Sequence, residues 1–114
     1  MATDLGIASD HAGLLLKEEL LTAIRARKLT LVDFGTFTGD SVDYPDFAAK
    51  VASAVANGEC ARGLLVCGTG IGMSIVANKY RGVRAAVCAS EFEARMAGRH
   101  ERRVQKIRDA ENHW

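Results

Sequence analysis

The sequence predicts an α/β fold, in which helices cover both faces of a parallel sheet. Short apolar runs typical of strands alternate along the chain with amphipathic helical patterns, which indicates βαβ crossovers. One uncharged run ends at Cys67, and Gly68, Gly70 and Gly72 follow at alternate positions before an apolar helical segment. Glycines let the backbone turn sharply, and the helix begins with unpaired N–H groups. This stretch therefore predicts an anion site at the carboxyl end of a buried strand, where open α/β sheets bind ligands.

Length and composition restrict the class of protein. With 114 residues and a formal net charge of +1, we expect one domain over residues 1–114 and no binding to nucleic acid or an anionic membrane. No apolar run approaches the roughly 20 residues of a spanning helix, and the N-terminus does not resemble a secretory signal. The three cysteines include no Cys-x-x-Cys pair, which argues against a disulfide framework and a zinc site. We therefore expect a cytoplasmic protein.

The start of the chain predicts a strand and then an amphipathic helix. Residues 5–9 form the strand candidate, and from Ala12 apolar residues recur at three- and four-residue spacing. The predicted buried face comprises Leu15, Leu16, Leu20, Leu21 and Ile24, and the predicted solvent face comprises Lys17, Glu18, Glu19 and Arg25. Asp10 is expected to cap this helix with its carboxylate. His11 then falls in the first turn, near the ligand edge of the sheet.

The middle of the chain predicts a second strand, a loop and a second helix. Residues 29–34 form the strand, and residues 35–42 are polar and contain glycine. The helix opens at residues 43–46, where the missing N–H of Pro45 costs nothing, and ends at Asn57 and Gly58. Tyr44 either meets a substrate or forms a hydrophobic staple, and both interpretations stay open.

The last third of the chain predicts a fourth strand and a fourth helix. Residues 84–88 form the strand, and the helical pattern extends from Ser90 to Ile107. Ser90 is expected to cap this helix, with Glu93 completing a capping box.

The glycine spacing disfavours two common nucleotide loops. A phosphate loop of the NTPase type needs a lysine that is absent from this stretch, and a dinucleotide fingerprint needs Gly-x-Gly-x-x-Gly after the first strand. Here Gly-x-Gly-x-Gly follows roughly the third predicted strand. A nucleotide-binding module is therefore the weakest of the functional hypotheses.

Six segments resemble ribose-5-phosphate isomerase B, in the sugar-phosphate isomerase family that also includes the galactose-6-phosphate isomerase subunits. They are residues 7–13, 32–36, 41–47, 67–74, 77–79 and 81–86. The resemblance implies a Rossmann-like three-layer sandwich with a parallel sheet, four strands of which are evident here. It also implies a homodimer or homotetramer with shared active sites. The implied reaction interconverts an aldose and a ketose phosphate through an enediolate, with no metal and no cofactor.

The same resemblance implies roles for individual residues. Cys67 matches the base that moves a proton between C1 and C2, a role that a cysteine facing a helix N-terminus suits because its thiolate is stabilised. The N–H groups of residues 68–74 match those that stabilise the enediolate oxygen. The implied catalytic residues are Cys67, Thr69 and His100. The implied substrate-binding residues are Asp10, His11, Tyr44, Gly68, Gly70, Ile71, Gly72, Met73, Ser74, Arg99 and Arg103.

The chain departs from the family after Ala97. The family continues with a further segment and a fifth strand before a Gly-Arg-His-x-x-Arg tail, whereas Gly98 begins that tail directly here. By its spacing, His100 falls where the ring-opening histidine of the family would stand; by its neighbours it belongs to the phosphate-binding tail, which we favour. Arg99 and Arg103 are spaced i and i+4, which suits a two-arginine phosphate clamp, although a solvated basic helix end has the same pattern.

The leading functional hypothesis is an isomerase of ribose 5-phosphate and ribulose 5-phosphate. The whole stretch of residues 67–74 resembles that branch of the family. The alternatives are a phosphosugar-binding paralogue with weak or no catalysis and an isomerase of a six-carbon sugar phosphate.

Overall fold

A computed structural model describes residues 2–97 of the chain. Along the chain the elements are β1 (Thr3–Ser9), α1 (Leu14–Ala26), β2 (Leu31–Asp33), α2 (Tyr44–Ala56), β3 (Cys60–Val66), α3 (Ile71–Asn78) and α4 (Glu91–Ala97). The three strands form one parallel sheet in the order β2-β1-β3, with Leu5 opposite Leu31 and Ile7 opposite Leu64. The predicted α/β, Rossmann-like class is thereby confirmed.

Helices cover both faces of this sheet. Consecutive residues of a strand point to opposite faces, so the contacts of two neighbouring residues on β3 show which helices pack on each face of the sheet. Leu64 packs in a cluster with Leu21 of α1. Leu65 packs in a second cluster with Ala52 of α2 and Ala77 of α3. The sheet is therefore the middle of three layers, and its central strand β1 ends between the ends of β2 and β3.

The predicted buried face of α1 is partly wrong. Leu21 and Ile24 are buried as expected, but Leu15 is 79% exposed and Leu16 is 51% exposed. Lys17, predicted to face solvent, is only 1% exposed. Lys17, Leu21 and Ile24 follow one another at four- and three-residue spacing, so the buried face is rotated toward the lysine. The physical cause is a carboxylate at the end of β2 and a carbonyl just beyond it, which bind the Lys17 ammonium.

The predicted fourth strand does not form. Residues 83–88 have no regular secondary structure. The Asn78 side chain takes up the backbone groups of Ala85: Nδ2 donates to the Ala85 carbonyl at 2.8 Å, and Oδ1 accepts the Ala85 N–H at 2.8 Å. These bonds stand in for ladder bonds to a neighbouring strand. Within the described sheet β3 is consequently an edge strand, more exposed than the buried strand predicted.

Most other predicted boundaries hold to within a few residues. The second strand is shorter than predicted, and α2 is followed by Gly58 with a φ of 79°. Half of the predicted capping box of α4 forms: Ser90 Oγ accepts the Glu93 N–H at 3.2 Å, but Glu93 Oε2 accepts the N–H of Ala89, one residue before the cap, at 2.7 Å. The predicted continuation of this helix to Ile107 lies outside the described residues. Within residues 2–97, no helix is long and apolar enough to cross a bilayer.

Candidate active site

The turn between β3 and α3 surrounds a half-buried cysteine. β3 ends at Val66, and the backbone reverses through Gly70, whose φ of 80° favours glycine. The Gly70 N–H donates to Cys67 Sγ at 3.0 Å, and Thr69 Oγ1 accepts the Ile71 N–H at 3.2 Å. The predicted strand, glycine turn and helix are therefore confirmed. Cys67 lies at the carboxyl end of the strand with an N–H group directed at its sulfur.

The remaining residues of this turn differ in what they offer to a ligand. Met73 is fully buried, so its side chain belongs to the core. Only its backbone N–H, in the first turn of α3, can be offered to a ligand. Ser74 donates its hydroxyl to the Ile71 carbonyl at 2.8 Å. A Cβ on Gly68 would meet nothing within 4 Å. The backbone of residues 68–73 is therefore the part of this segment best suited to a ligand.

The end of β1 brings Asp10 against the end of β3. The Asp10 N–H donates to the Val66 carbonyl at 3.2 Å, and Asp10 Oδ1 accepts the Gly13 N–H at 2.9 Å. The predicted helix cap is therefore wrong: the N-cap of α1 is Gly13, without a side-chain cap bond, and the Asp10 carboxylate binds the backbone in front of the helix. A Cβ on Gly13 would collide with the Val66 carbonyl oxygen, so the two chain segments are in direct contact. Asp10 is consequently held next to the residue that precedes Cys67.

The His11 ring is oriented by a backbone group that the sequence did not reveal. Nδ1 of the exposed His11 accepts the Val42 N–H at 3.1 Å. In this bond Nδ1 carries no proton, so a neutral ring has its proton on Nε2 and presents a donor. Val42 stands 31 residues away in the loop after β2. No local pattern could have indicated it.

Tyr44 lies over the start of α3. It is the first residue of α2, and a Cβ built on Gly72 would lie 2.5 Å from its ring. Because Tyr44 is inside the helix, it does not occupy the position of a hydrophobic staple, which precedes the cap. Tyr44 therefore lies against the first turn of α3, and its contact with a substrate remains a prediction.

The predicted site residues within residues 2–97 lie at one edge of the sheet. Arg99, His100 and Arg103 lie outside the described residues, so their roles remain predictions. Among residues 2–97, no group of three or more His, Cys, Asp or Glu side chains is arranged to hold a metal ion. Asp10, His11, Tyr44 and the Cys67 turn all lie at the carboxyl edge of the parallel sheet, where ligands bind in this class of fold.

Comparison with known proteins identifies the family. Residues 5–107 match the family model described as Ribose/Galactose Isomerase. The chain belongs to the ribose/galactose isomerase family. Ribose-5-phosphate isomerase B of Escherichia coli is 44% identical over 91 residues, which cover 80% of this chain and 61% of that protein. D-erythrulose-4-phosphate isomerase of Pectobacterium atrosepticum is 42% identical over 94 residues, covering 82% of this chain and 62% of that protein.

A solved structure extends the family match to the fold. Ribose-5-phosphate isomerase B of Clostridium thermocellum superposes with a TM-score of 0.83 at 52% sequence identity, covering 85% of this chain and 66% of that one. The chain spans less than two thirds of the length of the two curated relatives above, at 61% and 62%. This shorter span of a ribose/galactose isomerase family member agrees with the segment predicted to be missing after Ala97.

Proposed function

We propose that this family member is an aldose–ketose isomerase that interconverts ribose 5-phosphate and ribulose 5-phosphate, with Cys67 as the base. One observation carries the proposal: Cys67 Sγ is half-buried at the carboxyl end of β3, 3.0 Å from the Gly70 nitrogen. The nearby start of α3 adds further N–H groups and the positive end of a helix dipole. A base beside oxyanion donors is what proton transfer next to a carbonyl requires.

The proposed reaction moves one proton between two carbon atoms. The Cys67 thiolate takes the proton from C2 of the open-chain aldose. The C–H electron pair then forms a C1=C2 double bond, and the carbonyl pair moves onto O1 to give an enediolate. N–H groups of the turn stabilise that negative charge. The hydroxyl proton on O2 passes to O1, the Cys67 thiol returns its proton to C1, and C2 becomes the ketose carbonyl.

Thr69 suits the transfer of the hydroxyl proton. Its Oγ1 accepts the Ile71 N–H, so its own hydrogen remains to be donated to a substrate oxygen. It also belongs to the same turn as Cys67. We assign it to the oxygen atoms O1 and O2 of the substrate.

Asp10, His11 and Tyr44 are assigned to substrate binding. The proton on Nε2 of His11 makes the ring a donor, which suits a phosphate oxygen, and Arg99 and Arg103 are assigned to the same phosphate. His100 either joins them or opens the sugar ring. The active enzyme is proposed to be a cytoplasmic homodimer or homotetramer with shared active sites, and a reducing compartment suits the three free cysteines of the described residues.

A second candidate is a phosphosugar-binding protein with weak or no catalysis. The observation in its favour is that the chain spans 61% of the length of the E. coli relative. The substrate could also differ in length, since the P. atrosepticum relative is named for a four-carbon sugar phosphate. Six-carbon sugar phosphates are the other option.

Turnover of ribose 5-phosphate by matched cysteine variants tests the proposal. Cys67→Ala should lower the rate by roughly 10²–10⁴-fold, the usual contribution of a positioned base. It should still bind the sugar, measured as a ligand-dependent rise in Tm. Cys88→Ala is the control, because Cys88 is exposed and outside the turn. Binding without turnover in the unmodified chain would favour the second candidate, and full activity of Cys67→Ala would refute the assignment of the base.

A further inference from the structure

We propose that Lys17 is a positioning residue for this site: its buried ammonium fixes the loop after β2, residues 34–43, which holds His11 and leads to Tyr44. The proposal rests on the proposed function for its kinetic readout only. Its structural readout is independent of any substrate.

Lys17 is buried with three partners from the end of β2 and the loop. Its side chain is 1% exposed, and Nζ donates to Asp33 Oδ1 at 2.7 Å and to the Thr36 carbonyl at 2.6 Å. The same nitrogen lies 4.8 Å from the centre of the Phe37 ring. An ammonium group is costly to bury unless it is paired and hydrogen-bonded, and a well-packed apolar side chain would often be at least as stabilising. The burial of Lys17 is therefore best explained by its role in fixing the position of the groups that it binds.

Those groups tie the start of the loop to the end of β1. Asp33 Oδ1 also accepts the Gly35 N–H at 2.9 Å. The Ser9 N–H donates to the Gly35 carbonyl at 2.7 Å, and the Thr36 N–H donates to the Ser9 carbonyl at 2.9 Å. Ser9 directly precedes Asp10 and His11. Lys17 thus holds, from α1, the stretch of loop that lines the end of the central strand.

The far end of the same loop reaches two residues that are assigned to substrate binding. Val42 donates its N–H to His11 Nδ1, and Tyr44 follows two residues later, over Gly72. Between the two ends, residues 37–41 are exposed. The loop is therefore held near its start by Lys17 and near its end by His11. Loss of the first anchor is expected to loosen the second and so to misplace the His11 ring.

The decisive variant is the double substitution Lys17→Met and Asp33→Asn. Lys17→Met alone leaves a half-buried carboxylate without its cation, which can unfold the chain. In the double variant the side-chain amide oxygen at position 33 can still accept the Gly35 N–H, so the bonds made by Lys17 are the ones removed. Lys50→Met is the matched control, since Lys50 is exposed and also lies over a ring, 4.6 Å from the centre of Phe47.

We expect a local effect on the loop and a selective effect on binding. Without any sugar, hydrogen exchange of the Val42 and Thr36 amides should accelerate by at least about 10-fold, while amides of the β1–β3 ladder exchange as before. With ribose 5-phosphate, KM should rise by roughly 5–20-fold with kcat changed less than about 3-fold, because Cys67 belongs to another turn. Lys50→Met should change neither readout.

Two results would overturn the proposal. Val42 and Thr36 amides that exchange at the unmodified rate in the double variant would show that Lys17 does not hold the loop. A uniform acceleration at all amides, ladder included, would show that it only stabilises the fold. If the unmodified chain fails to isomerise ribose 5-phosphate, the proposed function fails, and the exchange rates decide the role of Lys17 alone.

Discussion

The ring of Tyr44 occupies the space that a side chain at Gly72 would need. A Cβ at position 72 would lie 2.5 Å from both Cε1 and Cζ of the ring, well inside van der Waals contact. The first turns of α2 and α3 therefore meet with room for glycine alone. Because Tyr44 is 40% exposed, its ring can rotate into solvent when a methyl group is added.

Gly72→Ala should displace Tyr44 without unfolding the chain. Alanine is the better helix former by about 1 kcal/mol, which offsets the lost ring contact, so the free energy of unfolding should change by less than about 1 kcal/mol. KM for ribose 5-phosphate should rise by roughly 3–10-fold, because a substrate-contacting residue has moved. Gly39→Ala is the control, since a Cβ there meets nothing within 4 Å. An unchanged KM would remove Tyr44 from the binding site.

Unlike Gly72→Ala, Gly13→Ala should destabilise the fold. Its Cβ would collide with the carbonyl oxygen of Val66, a backbone atom that cannot rotate away. Relieving such a clash typically costs about 1–3 kcal/mol, or a fall in Tm of roughly 5–15 °C for a domain of this size. The measurement is thermal unfolding beside Gly39→Ala. Equal Tm values would mean that the start of α1 does not press on the end of β3.

Stability should depend on Asp4 at acidic pH. The Thr30 backbone N–H, and secondarily the Thr30 hydroxyl, donate to the Asp4 carboxylate and hold its pKa below the ordinary value of 3.8. A lowered folded-state pKa stabilises the fold fully above the unfolded-state pKa and loses that contribution as pH falls through the folded-state pKa. Urea unfolding of the unmodified chain and of Asp4→Asn should therefore differ at neutral pH and converge as the pH falls below 3.8 and through the lower folded-state pKa. Parallel stability curves across that range would contradict the assignment.

The arginines of the tail should act on binding. Arg99→Ala and Arg103→Ala should each raise KM for ribose 5-phosphate by at least about 10-fold and change kcat less, because charge-assisted bonds to a phosphate are strong. Arg108→Ala is the control, because it follows Arg99 by nine residues and Arg103 by five, which at helical spacing is away from the i, i+4 face. Unchanged apparent affinity in both test variants would mean that the tail does not contact the phosphate.

The Cys67 turn could be predicted because its cause is local. An apolar strand, glycines at alternate positions and an apolar helix specify the turn within a dozen residues. Lys17 could not be predicted in the same way, because its partners Asp33 and Thr36 stand 16 and 19 residues further on. A charge beside Glu18 and Glu19 resembles a solvated helix face until the loop after β2 is placed. The Val42 N–H that orients His11 is equally distant.

The prediction of a fourth strand was wrong for a related reason. Residues 84–88 have the composition of a strand, but a strand needs a partner for its backbone groups. Asn78, seven residues before Ala85, binds both the N–H and the carbonyl of that residue. Local propensity predicted a strand, and the segment has no regular secondary structure. Propensity could not indicate that a side chain would take the place of the neighbouring strand.

The most direct test of Cys67 as the base follows the proton itself. Ribose 5-phosphate is incubated in D₂O with the unmodified chain, Cys67→Ala or Cys88→Ala, and deuterium at C1 and C2 is measured by NMR. Because the proton on the half-buried Cys67 thiol can exchange with solvent before it returns to carbon, we expect solvent deuterium at these carbons with the unmodified chain and with Cys88→Ala, and none with Cys67→Ala. Turnover or exchange by Cys67→Ala at the unmodified rate would contradict the proposed mechanism.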